Sequence, residues 1–433
     1  MKQKIYNYCL FSLIAALTLP VNADSSYDSN FTLSGYGTIA YTFDNQDDLA
    51  FVRELTAPAE YGQVNNPKMK TEPLLTDSRI GIQGLYQIEP NLEIMGLLNI
   101  RHQEETSLNN SLDWLYLGYH FANDIALRIG RIGYDAFLMS DHRHLGYAYS
   151  WVRPPTEFYA ALPVYSLDGL DISYKIFQDD NVNWKVKGQL GQSQTTFPFG
   201  LSEQYEFEST AWAVSLTRET QNLRIRAGYS EIDIDTNPSV LEPLYDGLSQ
   251  LSVAGVPGLS DEASQLLHDT TYKNGKFKYS TIGFAYDNQT WLLQGELGYM
   301  DTTADVISNG TTAYLSLGRR FGSWTPFVSY SRIKPLNNKK EAENDWNLLT
   351  GNAFGDLNTS VRDQALSVLS ATRIDQSTIS LGVRWDFYSQ AALKLQWDKT
   401  KVNADGYGLW WSTLDESKDT SIDVFALTME FIF

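Results

Sequence analysis

The sequence predicts an all-β fold, a 16-stranded antiparallel transmembrane β-barrel, and three observations carry that reading. From residue 31 onward, short segments place an apolar residue at every second position, the period of a strand with one face in an apolar medium. The connections between these segments alternate between tight turns and long loops. After residue 23 no run of about 18 apolar residues exists, which excludes a helical membrane span but not one built from strands. The mean hydropathy of −0.30 does not bear on the choice, because half of each barrel strand faces a wet lumen. The aromatic content of 13% does, since such barrels carry aromatic girdles at both membrane interfaces.

Residues 1–23 read as a cleavable signal peptide. Lys2 and Lys4 give a positive start, 10–19 is an apolar core too short to span a bilayer, and Val21, Asn22 and Ala23 form a small-residue cleavage site. Cys9, the single cysteine, leaves with this segment, so the mature chain has no disulfide and no thiolate chemistry. The mature protein, 24–433, reads as one barrel domain without a linker. The whole chain carries a net charge of −19, and loss of Lys2 and Lys4 takes it to −21. Nucleic acid is thereby excluded as a partner, because phosphates call for a basic surface.

Taken in order, the first strand is 31–43, with Phe31, Leu33, Ile39, Tyr41 and Phe43 on one face and Thr32, Ser34, Thr38 and Thr42 on the other. Alternation then predicts strands at 77–87, 91–102, 112–121, 124–132, 168–177, 182–193, 209–218, 221–231, 278–287, 290–301, 311–321, 323–332, 374–388, 391–402 and 422–433. Single-chain bacterial barrels have even strand counts, and a strand of ten residues, about 33 Å long and tilted, covers an apolar band about 25 Å tall. The tight turns carry turn-type residues, as at Glu89-Pro90-Asn91 and Phe321-Gly322-Ser323. The intervening connections, 44–76, 103–111, 133–167, 194–208, 232–277, 302–310, 333–373 and 403–421, are mostly long. Short periplasmic turns and long extracellular loops follow from that asymmetry. Within the loops, 260–268 and 363–372 carry helical signals.

If the apolar face of each strand meets lipid, the basic residues on the opposite face line the lumen. An Arg in the middle of the lipid face would cost roughly 2–4 kcal/mol. The inward basic wall predicted in this way is Arg79, Arg101, Arg128, Lys175, Lys185, Lys187, Arg224, Arg226, Arg320 and Arg384, with Lys394 beside them. Arg131 falls on the opposite parity, and its direction is open at this stage. Acidic residues concentrate in the loops, including Glu54, Glu104, Asp233 and Glu341.

The stretch 133–167 breaks the alternation with aromatics, charges and Pro154-Pro155. A loop of this length is functional or disordered, and its aromatics argue against disorder. It reads as a constriction loop folded into the barrel, its Asp135, Asp141 and Glu157 set against the basic wall, with His142, Arg143 and Arg153 alongside. Trp151, Phe158 and Tyr159 read as anchors of the loop rather than as a solute track. Ser140, Asp141 and His142 are adjacent in sequence, but a catalytic triad is a spatial constellation, so no enzyme is predicted. His142 and His144 lack a third ligand, so no metal and no cofactor are predicted.

The last strand alternates Phe425, Leu427, Met429, Phe431 and Phe433 with Val424, Ala426, Thr428, Glu430 and Ile432. A chain ending this way resembles outer-membrane proteins whose terminal strand is read by the barrel assembly machinery. With sixteen strands and a long third loop, the mature chain resembles the trimeric Gram-negative porins. That resemblance implies a homotrimer in the outer membrane, in contact with its lipid and lipopolysaccharide. It also implies a water-filled channel, narrowed by the third loop, that passes ions and small hydrophilic solutes. Two other readings stay open: a substrate-selective channel for oligosaccharides or for anions such as phosphate, and a plugged-barrel surface receptor or adhesin.

Overall fold

The computed structural model describes residues 30–46, 49–58, 60–61, 69–122, 124–162, 164–178, 181–199, 203–344, 346, 355–412 and 418–433. The signal peptide expected at 1–23 lies outside these residues. Sixteen antiparallel strands close into one barrel. In chain order they are β1 (Phe31–Asp44), β2 (Arg79–Glu89), β3 (Leu92–Arg101), β4 (Leu112–His120), β5 (Ile125–Gly133), β6 (Ser166–Gln178), β7 (Asn183–Phe199) and β8 (Glu203–Glu219). They continue as β9 (Leu223–Ile234), β10 (Lys276–Asp287), β11 (Trp291–Thr302), β12 (Gly310–Arg319), β13 (Trp324–Pro335), β14 (Gln376–Tyr388), β15 (Ala391–Val402) and β16 (Thr420–Ile432). Each strand pairs with its sequence neighbour, and β1 closes the ring by pairing with β16, Gly37 opposite Phe431.

The alternation does what the sequence reading requires of it. Phe31, Leu33, Tyr41 and Phe43 of β1 are exposed to the outside while Thr38 and Thr42 are buried inside. In β16, Phe425, Leu427 and Met429 point out and Glu430 points in, fully buried. Two aromatic belts bound the apolar band. At the turn end Trp324 stacks on Trp385, centroids 5.1 Å apart and planes 2° from parallel. At the loop end Trp212 lies 5.3 Å from Tyr229.

Two expectations need correction. The stretch 194–208, expected as a loop, instead continues β7 and β8 to 17 residues each, with Thr195 opposite Phe207. Above the lipid band an outward residue gains nothing by being apolar, so the apolar-outward pattern stops although the strands do not. The helical signals are longer than expected and have a third companion: α1 (Glu242–Ser252), α2 (Leu259–Asp269) and α3 (Gly355–Ala371). Leu244 and Leu248 of α1, Ala263 and Leu266 of α2, and Ala365 and Leu369 of α3 pack together with Trp346 as a cap built from the fifth and seventh loops. A first-loop strand at Leu49–Phe51 pairs with Trp410–Ser412 of the eighth loop.

The same change of polarity runs round much of the loop end. In β9, Tyr229 faces out and Ser230 in at the edge of the band; two residues on, Glu231 faces out and Ile232 is buried inside. In β10, Lys276 and Lys278 lie on the outer face and Phe277 and Tyr279 are buried inside. Past the lipid, the barrel is built like a soluble protein, polar outside and apolar within.

Candidate functional site

The third loop leaves β5 and returns to β6 through a neck in which Ile132 faces Leu167, both fully buried, and Tyr134 N–H donates to Tyr165 O at 3.0 Å. Between these points it crosses the lumen and is fastened to the wall on three sides. Those contacts, rather than any one charged residue, define the site.

On the β7–β11 side, Asp135 is the staple. Its backbone N–H donates to Gln189 Oε1 at 2.8 Å, and its carboxylate accepts from Ser215 Oγ at 2.7 Å. Arg226 lies 3.2 Å and Lys187 3.9 Å from that carboxylate. Burial alone would raise the Asp135 carboxyl, but Lys187 and Arg226 outweigh it and bring it down to about 2. Arg226 also donates to Asp135 O at 2.5 Å and Ala136 O at 3.2 Å. Two residues after Ala136, Leu138 N–H donates to Glu296 Oε2 at 2.8 Å, and the other oxygen of Glu296 accepts from the hydroxyls of Tyr159 and Tyr314. Phe137, Phe158, Tyr159 and Trp151 pack here against Tyr279 and Tyr314, Phe158 edge-on to Tyr314 at 5.4 Å. The aromatics anchor the loop, since Trp151 is 4% and Phe158 0% exposed.

On the opposite side, β12–β16 hold residues 146–157. Lys394 Nζ donates to Gly146 O at 2.7 Å and Trp151 O at 2.6 Å, and lies 3.5 Å from Glu430. A Cβ at residue 146 would sit 2.1 Å from Glu430 Oε2 and 2.5 Å from Arg79 Nη2, so only glycine lets the loop approach this pair. Arg384 donates to Tyr147 O and Tyr149 O, and Trp151 Nε1 donates to Ser316 Oγ at 2.8 Å. Arg153 bridges two carboxylates at 2.5 Å each, Asp77 two residues before β2 and Asp398 of β15. Glu157, 0% exposed, is held without a cation among the described residues: Ser331 Oγ and Gln376 Nε2 donate to it at 2.6 Å, and Thr378 Oγ1 also donates.

The third side is β1–β3 with the first loop. Arg79 Nε donates to His144 O at 2.6 Å, and Arg53 donates to Arg143 O and Tyr149 Oη. Arg101 lies 3.1 Å from both Glu54 and Asp113. Arg143 stacks over Tyr165 at 4.1 Å. His144 Nδ1 is 3.3 Å from Glu54 Oε1 but not aligned for a hydrogen bond. Burial, then the surrounding Arg101, Arg143, Arg53 and Arg79, hold His144 well below its ordinary range.

These contacts revise the predicted wall. Arg79, Arg101, Lys187, Arg226 and Lys394 point inward but are buried in bonds to the loop or to carboxylates, so they brace it instead of facing open water. Arg128 pairs with Asp171 at 2.5 Å. Arg224, Arg320 and Arg384, towards the turns, pair with Glu219, Asp287 and Asp386. Lys175 and Lys185 sit opposite each other across β6 and β7 near the same end. Of the loop acids, Asp135 meets the basic wall, Glu157 meets hydroxyls and an amide instead, and Asp141 is exposed beside His142. Arg131 shares the outward face of Ile129 and pairs with Asp168 at 2.6 Å, above the lipid band where a charge is tolerated. Ser140 Oγ accepts from Phe137 N–H, which makes it a turn residue.

Sequence reasoning missed Arg53 and Glu54 of the first loop and Glu296 of β11 as parts of the site. Glu296 was findable, because it lies on the inward parity between lipid-facing positions, next to Leu297 at 62% exposure. Arg53 and Glu54 carry no periodic signal and were not.

The chain aligns with solved structures along nearly its whole length. The anion-selective porin from Comamonas acidovorans aligns with a TM-score of 0.51 over 93% of this chain and 99% of that chain, at 12% identity. The fold is that of the porins. The porin OmpF of Salmonella typhi, solved in complex with daunomycin, aligns with a TM-score of 0.50 over 93% of this chain and 97% of that chain, at 12% identity. OmpT of Vibrio cholerae, an outer-membrane protein, aligns with a TM-score of 0.50 over 94% and 99%, also at 12% identity. No protein-family model and no curated protein matches the sequence. At this identity the porin likeness concerns the fold.

Proposed function

We propose that this chain is an outer-membrane porin, a passive channel for ions and small hydrophilic solutes that works without a cofactor or energy source. The observation that carries the reading is the third loop, fastened across the lumen of a closed barrel by buried bonds to three sides of the wall. A loop held so firmly defines a fixed bore. Polar solutes reach it from the turn end through a chamber edged by Lys175, Lys185, Arg128 and the pairs Arg224–Glu219 and Arg320–Asp287, where ordered charges favour hydrated solutes. We also propose assembly as a homotrimer, insertion through the strand ending at Phe433, and lipopolysaccharide around the charged outer collar. A substrate-selective channel is the second reading, favoured by how closely the loop meets opposite walls, from Asp135 on one side to Arg153 on the other.

The test is conductance in planar bilayers. Purified protein is expected to insert in steps of three small conductances, and deletion of residues 140–150 to enlarge both conductance and the size of excluded solutes. Absence of conductance at any voltage, with or without the deletion, would turn the reading towards a plugged-barrel receptor.

A further inference from the structure

The loop-end half of the lumen encloses a cavity of about 440 Å³, inside the roughly 300–1,000 Å³ range of small-molecule sites. Its floor is the far face of the third loop, at Ala161 and Leu162, and its wall includes Phe197, Phe207, Phe277 and Met300. Residues of the fifth, seventh and eighth loops complete it. Lys418 is the single charged side chain in this lining among the described residues. The cavity exists because the strands run on past the lipid band and there turn their apolar side inward.

Two features define what such a chamber takes. Its lining offers water few hydrogen-bond partners, so poorly held water is displaced at little cost by an apolar occupant. A charged solute would lose its hydration there with almost nothing to replace it. Aromatic rings stand in the wall in the two geometries that recognise other rings. Phe197 stacks on Tyr205 at 5.3 Å and 15°, and Phe207 meets Tyr272 edge-on at 6.4 Å and 83°.

We propose that this chamber is a binding site for an uncharged, predominantly aromatic small molecule entering from the loop end. The proposal rests on the channel reading for the direction of traffic, and not for the binding itself.

The test uses the full-length mature protein in lipid nanodiscs, dialysed against 2-naphthol, with protein-free nanodiscs as the blank and glucose as the polar control. Saturable 2-naphthol binding above the blank and none for glucose are expected. Ala161→Trp fills the floor and is expected to weaken binding about tenfold or more, a shift of the order of one lost packing contact. Phe207→Ala removes a wall ring from an extended hairpin, is expected to weaken binding about fivefold, and carries the comparison if the Trp variant does not fold. Uptake equal to the blank, or saturable binding that neither variant weakens, overturns the proposal. Bilayer conductance separates the two readings: conduction without saturable binding removes the chamber and leaves the channel, and binding without conduction does the reverse.

Discussion

The two halves of the lumen share one strand period and have opposite chemistry. Towards the turns, inward positions are occupied by Arg128, Lys185, Arg224 and Arg320, three of them paired with a carboxylate. Towards the loops, inward positions in the same or neighbouring strands are Phe207, Ile232, Ile234 and Phe277. The difference lies in what surrounds the wall. Where lipid lies outside, apolar residues are needed there and the inward face is left to polar groups. Where water lies outside, the preference reverses and the inside becomes a core. The third loop sits at the boundary and uses both chemistries, salt bridges from Asp135 and Arg153 to the wall and an aromatic cluster beside Asp135.

The comparison predicts which substitutions are costly, and why. The largest effect is expected from Arg153→Ala, which leaves Asp398 buried without its cation and Asp77 with Arg53 alone, 3.3 Å away. Breaking a buried pair in this way costs about 3–5 kcal/mol. It should show as a lower unfolding midpoint together with raised conductance as the loop comes loose; an unchanged midpoint would mean the loop is not braced there. Next, Leu297→Arg places a charge on the lipid face of β11, where Leu297 is among the most exposed apolar residues. A loss of about 2–4 kcal/mol is expected, read from refolding titrations into lipid vesicles.

Acid should weaken folding through buried groups of the second and third loops. Burial pushes His102 down to about 4 from 6.5, and His144 is held low by burial and its four arginine neighbours. Both are neutral when folded and take up protons near 6.5 when unfolded. Their contribution is therefore complete above pH 6.5 and is lost as pH falls through their folded values. Asp135, ordinarily at 3.8 and drawn to about 2, keeps its contribution down to about pH 4 and loses it between 4 and 2. Urea midpoints measured from pH 8 to 3 should fall below 6.5, and His102→Gln should flatten that slope; an identical slope would mean that His102 is not linked to folding.

The smallest effect belongs to the charged collar outside the chamber. Lys276 lies 2.7 Å from both Glu231 and Asp233, yet it is well exposed. Lys276→Gln should therefore leave stability nearly unchanged, and the more so in high salt. A large loss would show that this part of the wall is not in water, and so would break the account of the chamber.

Much of the barrel was legible in the sequence because its code is local. All sixteen strands are where a period of two places them, and the lipid-facing and lumen-facing sets of β1 and β16 separate as read. The pattern failed where its cause did, past the lipid at 194–208. The candidate site was legible only as a location. That 133–167 is the third loop follows from counting, and Asp135 as a partner of the wall follows from parity. The partners of its other residues did not, since Arg153 meets Asp77 and Asp398, distant in sequence and brought together only when the ring closes.

What the sequence determined alone is therefore the strand ladder, its inside and outside, and the one loop too aromatic to lie in water. Each of these rests on neighbours in the chain. Only the closed tertiary structure decided that Arg79, Arg226, Arg384 and Lys394 of the basic wall hold that loop, and that the strands beyond the membrane enclose an apolar chamber. Closure places residues from opposite walls within a few ångströms, and no periodicity along the chain records that distance.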